Sequence, residues 1–296
     1  MRHELFPIAL VLLGCASDGD TSDAGAHTAS ATATTAATVG SGGSGTSSSS
    51  AGTTGGGGSI ANGGSGGTVD GDGDGLDDAF EAKVAADYLP FLSFDPSDGC
   101  PLGGIVYRVT PHPQDAARLW IIYDHLLEKD CGLNGHIGDD EVFGVTVDPK
   151  VPPPDGIVAI KAIAHQSTIC EKTTECGKCG LDPCTTQDVG GKAVPVVFSS
   201  KDKHGSYTSI SACSGNCFDS CTLAPTSSAV PLVNAGEPDG HLTENLTTNG
   251  FITAANGWTE ASLMDFNPWE AGKDFGSASV VADDLVDTAF VATVCP

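Results

Sequence analysis

From Gly104 onward the chain sets short apolar, β-branched runs between Gly, Pro and Asp breaks. The runs are Gly104–Val109, Leu119–Tyr123, Glu141–Val147, Ile157–Ala164, Val194–Phe198 and Ser206–Ser211. Each has the length and residue types of a strand. Several such runs with few long helical patterns between them predict an antiparallel β-sandwich. Helical spacing is confined to Asp77–Leu89, where Phe80, Val84 and Leu89 are the inward candidates and Pro90 ends the pattern. Shorter patterns predict one helical turn at Pro113–Arg118 and a second helix at Ala282–Phe290. The predicted fold class is mainly β, a sandwich with one or two short helices.

Ahead of these elements the pattern disappears. Residues 16–68 are almost entirely Ser, Thr, Gly and Ala with a few Asp, too polar to offset the entropy of ordering, so a disordered tether is expected. At Gly-rich stiffness about fifty residues reach roughly 40 Å. Gly63-Gly64-Ser65-Gly66-Gly67 spells a serine-hydrolase elbow, but no strand precedes it and no helix follows. The first residues are charged, and Leu5–Leu13 is an apolar run of about half the ~20 residues that span a bilayer, which reads as an export signal. Leu12-Leu13-Gly14-Cys15 resembles a bacterial lipobox, which implies cleavage before Cys15 and acylation of that residue. The other reading is an ordinary signal with an incidental cysteine. The expected organisation is a signal peptide at 1–14, an acylated cysteine and linker at 15–69, a calcium loop with a short helix at 70–89, and a β-sandwich at 90–296. The implied location is the bacterial cell envelope, as an outer-membrane lipoprotein held to the membrane by its lipid anchor only. In such a cell the Asn245-Leu246-Thr247 sequon carries little meaning.

Charge and cysteine count narrow the picture further. Thirteen Lys and Arg stand against 38 Asp and Glu, a net charge of −25, which argues against nucleic acid or anionic lipid as partner. Of 11 cysteines, setting Cys15 aside leaves an even ten: Cys100, Cys131, Cys170, Cys176, Cys179, Cys184, Cys213, Cys217, Cys221 and Cys295. In an exported chain these predict five disulfides of undetermined connectivity stapling the sandwich. A zinc ion on the thiolates of Cys170, Cys176, Cys179 and Cys184 is the alternative, since Cys176 and Cys179 are spaced C-x-x-C.

The densest chemistry lies at Asp70-Gly71-Asp72-Gly73-Asp74-Gly75-Leu76-Asp77-Asp78-Ala79-Phe80-Glu81, which fits D-x-D-x-D-G-x5-E at every fixed position. A hard cation takes six to eight oxygens, and a sharp turn at Gly75 aims Asp70, Asp72 and Asp74 inward. The Leu76 carbonyl, Asp78 and a bidentate Glu81 complete the expected Ca²⁺ shell. The Gly/Ser-rich approach supplies no entering helix, so this is not a full EF-hand. It resembles the single-loop calcium repeats of dockerin and thrombospondin-type modules.

A second candidate is Asn134-Gly135-His136-Ile137-Gly138-Asp139-Asp140-Glu141, leading into a strand. Asp139 and Glu141, two apart, share a face, and His136 sits across Gly138 from them. One His and two carboxylates suit Ca²⁺, Mg²⁺, Mn²⁺ or Zn²⁺. On local spacing, an exposed acidic loop with a surface His is the competing reading. The stretch resembles the Gly-His-Arg-His-Asp-Trp-Glu heptapeptide of the necrosis-inducing cytolysins. It is also similar to the His-Glu-Gly-Asp-Trp-Glu of their vacuolar-sorting-type relatives. The matches fall at Gly135, His136, Gly138, Asp139 and Glu141. That resemblance implies a β-sandwich, and a divalent cation held by His136, Asp139, Glu141 and an upstream Asp, with Asp124 preferred to Asp130. Val194–Phe198 and the following Ser200–Tyr207 resemble the relatives' strand ending in Gly-Ser-His-Ala-Ser-Tyr, which makes His204 and Tyr207 candidate pocket residues. Asp140 stands where the family has Trp, which argues against membrane damage, and Ile137 where it has Arg or Glu.

Other residues invite plainer readings. His165 is expected to cap a strand edge, and Trp120, Trp258 and Trp269 to be core or rim. Two functions follow. The first is a surface-anchored calcium-binding lipoprotein whose cation pocket binds a glycan, a lipid headgroup or a protein ligand without covalent chemistry. The second is a metal-dependent hydrolase with a metal-bound water at His136, Asp139 and Glu141 and His204 as proton shuttle.

Overall fold

A computed structural model of the chain describes residues 69–100, 102–132, 135, 137–166, 168–225, 230–236, 253 and 291–295. The signal, Cys15, the tether, His136, the Asn245 sequon, Trp258, Trp269 and the 282–290 helix lie outside these residues.

The chain is mainly β. In order it forms α1 (Asp78–Asp87), β1 (Phe91–Ser93), β2 (Leu102–His112), β3 (Asp115–Lys129), β4 (Ile137–Val147), β5 (Ile157–Ala164) and β6 (Lys172–Gly177). Then come β7 (Thr186–Val189), β8 (Lys192–Ser199), β9 (Ser206–Tyr207), α2 (Ile210–Cys213) and β10 (Leu232–Asn234). One sheet runs β10-β2-β3-β4-β5-β6; the other runs β1-β8-β7, with β9 also on β8. Pairing is antiparallel except at two three-residue strands, β1 on β8 and β10 on β2, which are parallel. Among the described residues no helix is long and apolar enough to cross a membrane.

Alternation on β2 to β5 puts Ile105, Tyr107, Ile121, Tyr123, Phe143, Val145 and Ile160 in one core with Leu92 of β1 and Val197 of β8. The opposite face of the larger sheet is buried as well. Trp120, Ile122, Leu126 and Val142 are covered there, and the Arg108 guanidinium lies 4.8 Å over the Trp120 ring. The C-terminal strip reaches this sheet, because Thr146 Oγ1 donates to the Ala292 carbonyl at 3.1 Å. A strand buried on both faces reads as a continuous apolar run, which is what Leu119–Tyr123 is.

α1 belongs to this core rather than to a separate module. Val84, Ala85 and Tyr88 pack into it, and the Tyr123 hydroxyl donates to the Ala85 carbonyl at 2.7 Å. Two sequence expectations are corrected. Pro113–Arg118 is not helical: Pro113 and Gln114 form the β2–β3 turn and the next strand starts at Asp115. Pro presets the turn dihedral, and the short polar segment has no apolar face to bury as a helix. The run at Ser206–Ser211 ends as a strand at Tyr207, and Ser209 then caps α2 by accepting from Ala212 N.

All ten cysteines from Cys100 to Cys295 are bridged: Cys100–Cys131, Cys170–Cys217, Cys176–Cys184, Cys179–Cys295 and Cys213–Cys221. The thiolate zinc alternative at Cys170–Cys184 is therefore set aside, since those four sulfurs go to three different partners' bridges.

Candidate metal centres

The acidic loop closes on itself ahead of α1. Asp70 accepts from Gly73 N at 2.8 Å and Gly75 N at 3.1 Å, Asp74 accepts from Leu76 N at 2.7 Å, and Asp78 accepts from Gly71 N at 2.8 Å. Gly75 has φ +92, a left-handed turn that a side chain would strain. Asp77 caps α1 by accepting from Phe80 N, and Asp78 and Glu81 occupy the first helical turn, where the helix dipole favours them.

Two overlapping carboxylate triplets result, Asp70–Asp72–Asp74 and Asp72–Asp78–Glu81, each offering oxygens within 4.8 Å of one another. Glu81 is fully buried, and its Oε1 has no hydrogen-bond partner among the described residues. Burial, reinforced by the charges of Asp72 and Asp74, pushes Glu81 up to about 9. Burial also raises Asp74 to about 6. Carboxylates this crowded resist ionising together, and a bound divalent cation removes that resistance. The donor set is all oxygen and fits Ca²⁺. Five of the six residues expected from spacing contribute converging carboxylates. The sixth, Leu76, lies between Asp74 and Asp78 as expected, with its N–H on Asp74.

The second cluster gathers where β4 begins. In the β3–β4 register Glu141 faces His125 and Asp139 faces Leu127, so both acids leave the sheet by the face that carries Tyr123 and Phe143. Both are buried. From the β8–β9 loop His204, fully buried, places Nδ1 2.7 Å from Asp139 Oδ2 and Nε2 3.3 Å from Asp98 Oδ2. Burial alone would lower the imidazole, but the hydrogen bonds to Asp139 and Asp98 carry it up to about 9. Asp98 is likewise held below the usual carboxylate range: burial opposes ionisation, and the bond from His204 and the Cys100 and Asp202 N–H groups outweigh it.

Backbone ties assemble this corner. Asp202 N donates to Asp98 Oδ2 at 3.0 Å, Cys131 N donates to the Asp202 carbonyl at 2.8 Å, and Cys100–Cys131 bridges the first two segments. Asp202 and His204 both have left-handed φ, +64 and +60, in a loop folded tightly enough that a Cβ on Gly205 would sit 2.9 Å from Ala164 Cβ. Non-glycine residues held in that region are maintained by surrounding contacts. With both ring nitrogens engaged, His204 is a strut between two carboxylates.

Asp124 does not join Asp139 and Glu141. It is opposite Val142 and Val106 in the register and lies inside β3, so it leaves the sheet by the other face. The preference for Asp124 over Asp130 is thus corrected. Asp130 sits at the foot of the loop that carries Gly135, accepting from Gly132 N at 2.5 Å, and a Cβ at Gly135 would collide with its carbonyl. His136 lies outside the described residues.

Tyr207 belongs to an adjoining network. Its hydroxyl donates to Asp219 Oδ2 and accepts from Asn216 Nδ2 at 2.9 Å, while His165 Nε2 lies 2.6 Å from the same Asp219 oxygen. Burial, then the bond to Asp219, raises the Tyr207 phenol. His165 is therefore the half-buried partner of the buried Asp219 and not simply an edge cap. Asp98, His125 and Asp219 were not singled out in the sequence. His125 could have been found by extending the Leu119–Tyr123 alternation two residues. It is buried between Phe94 and Phe143, and burial, with the nearby His204 charge, lowers it to about 3. Asp98 and Asp219 sit in polar loops that carry no comparable signal.

No protein-family model and no curated protein matches the chain. Among solved structures, NLPPya in complex with glucosamine is 16% identical, covering 69% of this chain and 87% of its own, with a TM-score of 0.35. NLPPya in complex with mannosamine is 16% identical over 69% of this chain and 88% of its own, TM-score 0.35. Necrosis and Ethylene inducing Protein 2, from the causal agent of cocoa's Witches Broom disease, is 14% identical over 51% and 72%, TM-score 0.32. Likenesses of this strength do not establish a shared family, so the site is read from its own residues.

Proposed function

We propose that the protein is an envelope-anchored, calcium-binding protein whose sandwich carries a second divalent-cation pocket for a surface ligand, with a glycan the first candidate. The observation that carries this reading is the pair Asp139 and Glu141, buried side by side on the inner face of β4. Two carboxylates leaving one face of a strand at its start supply oxygen donors suited to a hard cation. Asp130 and His136, on the loop leading into β4, are the further ligands proposed. The ion would supply an electropositive anchor for ligand hydroxyl or carboxylate oxygens. His204 holds Asp139 in place, and Tyr207 and its Asp219 network form the neighbouring wall. Calcium at Asp70–Glu81 is the structural ion, and Cys15 is the proposed anchor.

The test is metal stoichiometry by elemental analysis on purified protein, with glucosamine and mannosamine titrated as ligand probes. Wild type is expected to hold one more divalent ion than Asp139→Asn/Glu141→Gln, and Asp74→Ala/Glu81→Ala is expected to lose a different one, calcium. Equal stoichiometry in wild type and Asp139→Asn/Glu141→Gln would overturn the pocket. Cys15→Ser should move the protein from the membrane pellet to the soluble fraction.

A further inference from the structure

We propose that Asn234 is part of the calcium site: it positions Glu81 for the ion, so that calcium clasps α1 to the edge strand β10. The proposal rests on the calcium reading of Asp70–Glu81 and extends it to a residue 153 positions away that no loop motif contains.

Glu81 cannot be explained by the loop alone. It is fully buried on the first turn of α1, and a buried carboxylate needs its oxygens accounted for. One of them, Oε2, accepts from Asn234 Nδ2 at 3.1 Å. The other, Oε1, has no hydrogen-bond partner among the described residues, and Glu81 falls within 4.8 Å of Asp72 and Asp78 in a ligand triplet. The carboxylate is thus held on one side by an amide and presented on the other to the acidic loop. That is the arrangement in which an outer residue orients a metal ligand.

Asn234 is itself fixed. It is buried, and its Oδ1 accepts from Gly236 N at 3.0 Å, which sets the amide so that Nδ2 points to Glu81. The strand that carries it is short. β10 has three residues, in parallel register with Ile105–Tyr107 of β2, and continues with Ala235 N donating to the Tyr107 carbonyl at 2.8 Å. Few backbone bonds hold so short an edge strand, so a side-chain tie to α1 adds appreciably to its order. The coupling is reciprocal: if Asn234 strengthens calcium binding, calcium must strengthen the attachment of β10 by the same factor.

The experiment uses the full chain with Ca²⁺ alone as probe, and compares wild type, Asn234→Leu and Asp74→Ala/Glu81→Ala. Affinity comes from calorimetry, and the order of β10 from hydrogen exchange at the Ala235 amide with and without Ca²⁺. Leu keeps the branched outline of Asn but cannot donate, so calcium affinity in Asn234→Leu is expected to fall about tenfold, the scale of outer-residue effects on metal sites. In wild type Ca²⁺ is expected to slow Ala235 exchange, and in Asn234→Leu to leave it unchanged. If wild type and Asp74→Ala/Glu81→Ala give the same isotherm, the calcium reading falls and this inference with it. If that double variant loses calcium but folded Asn234→Leu keeps wild-type affinity, the calcium reading stands and the role of Asn234 is overturned. Should Asn234→Leu fail to fold, wild type alone decides: Ala235 exchange indifferent to Ca²⁺ overturns the clasp.

Discussion

His204 combines a left-handed backbone, complete burial and a carboxylate on each ring nitrogen, and these features depend on one another. The turn at Asp202–Gly205 aims the ring between the sheets, and the paired charges make burial of an imidazolium tolerable. Removing the ring leaves half-buried Asp98 and buried Asp139 without their shared cation. His204→Ala is expected to lose about 3 to 5 kcal/mol in urea unfolding of metal-free protein, and an unchanged midpoint would refute the strut. His112 is the opposite case. Burial lowers its pKa, against the Ala292 carbonyl that its Nε2 meets at 3.0 Å and the Asp115 charge. A histidine lowered in the folded state stabilises above its unfolded pKa of about 6.5, because below it the unfolded chain takes up a proton that the folded one does not. Stability should therefore decline as pH falls from about 6.5 towards the folded value, and the decline should be shallower in His112→Gln when thermal melts are compared across that range. Neither histidine's role was legible locally, since the partners of His204 lie 65 and 106 residues away.

The elements that could be read were those whose alternation and breaks agree. Ile157–Ala164 is bounded by Gly156 and His165, the latter with a left-handed φ of +54, and the strand occupies the residues expected. β3 runs far past Tyr123, through Asp124 and His125 to Lys129, because two neighbouring strands supply the backbone bonds that polar side chains do not discourage. β6 and β7 were not legible: Lys172–Gly177 and Thr186–Val189 are largely polar and half-exposed, so their pairing, not their composition, makes them strands. α1 was legible from its apolar spacing and from Pro90, but its docking was not. The buried Tyr123 hydroxyl reaches the Ala85 carbonyl from the middle of the sheet, so Tyr123→Phe is expected to lower stability by about 1 kcal/mol and increase hydrogen exchange in α1. Exchange in α1 equal to wild type would show that the apolar contacts alone dock the helix.

For the molecule as a whole, the even ten cysteines from Cys100 to Cys295 announced stapling, while geometry chose the partners. Cys179–Cys295 closes the longest loop, 116 residues, and brings the C-terminal strip against the outer face of the larger sheet, where Ala292 meets Thr146 and His112. On the chain-entropy model such a loop contributes about 4 to 5 kcal/mol, so Cys179→Ser/Cys295→Ser should melt well below wild type, whereas the eight-residue Cys176–Cys184 loop should matter less. Equal melting losses for the two deletions would count against that ordering. The division between sequence and structure follows from range. The converging acidic loop was decided by the sequence because its carboxylates lie within twelve consecutive residues, where spacing and a turn glycine dictate convergence. The β class was decided there too, since alternation is a local property of the chain. Only the tertiary structure decided that Asp124 leaves β3 by the face away from Asp139 and Glu141, that Asp98 meets His204, that Asn234 reaches Glu81, and which sulfurs pair. Those outcomes depend on strand register and on which face of a sheet a side chain leaves, and register is set by the packing of residues far apart in the chain.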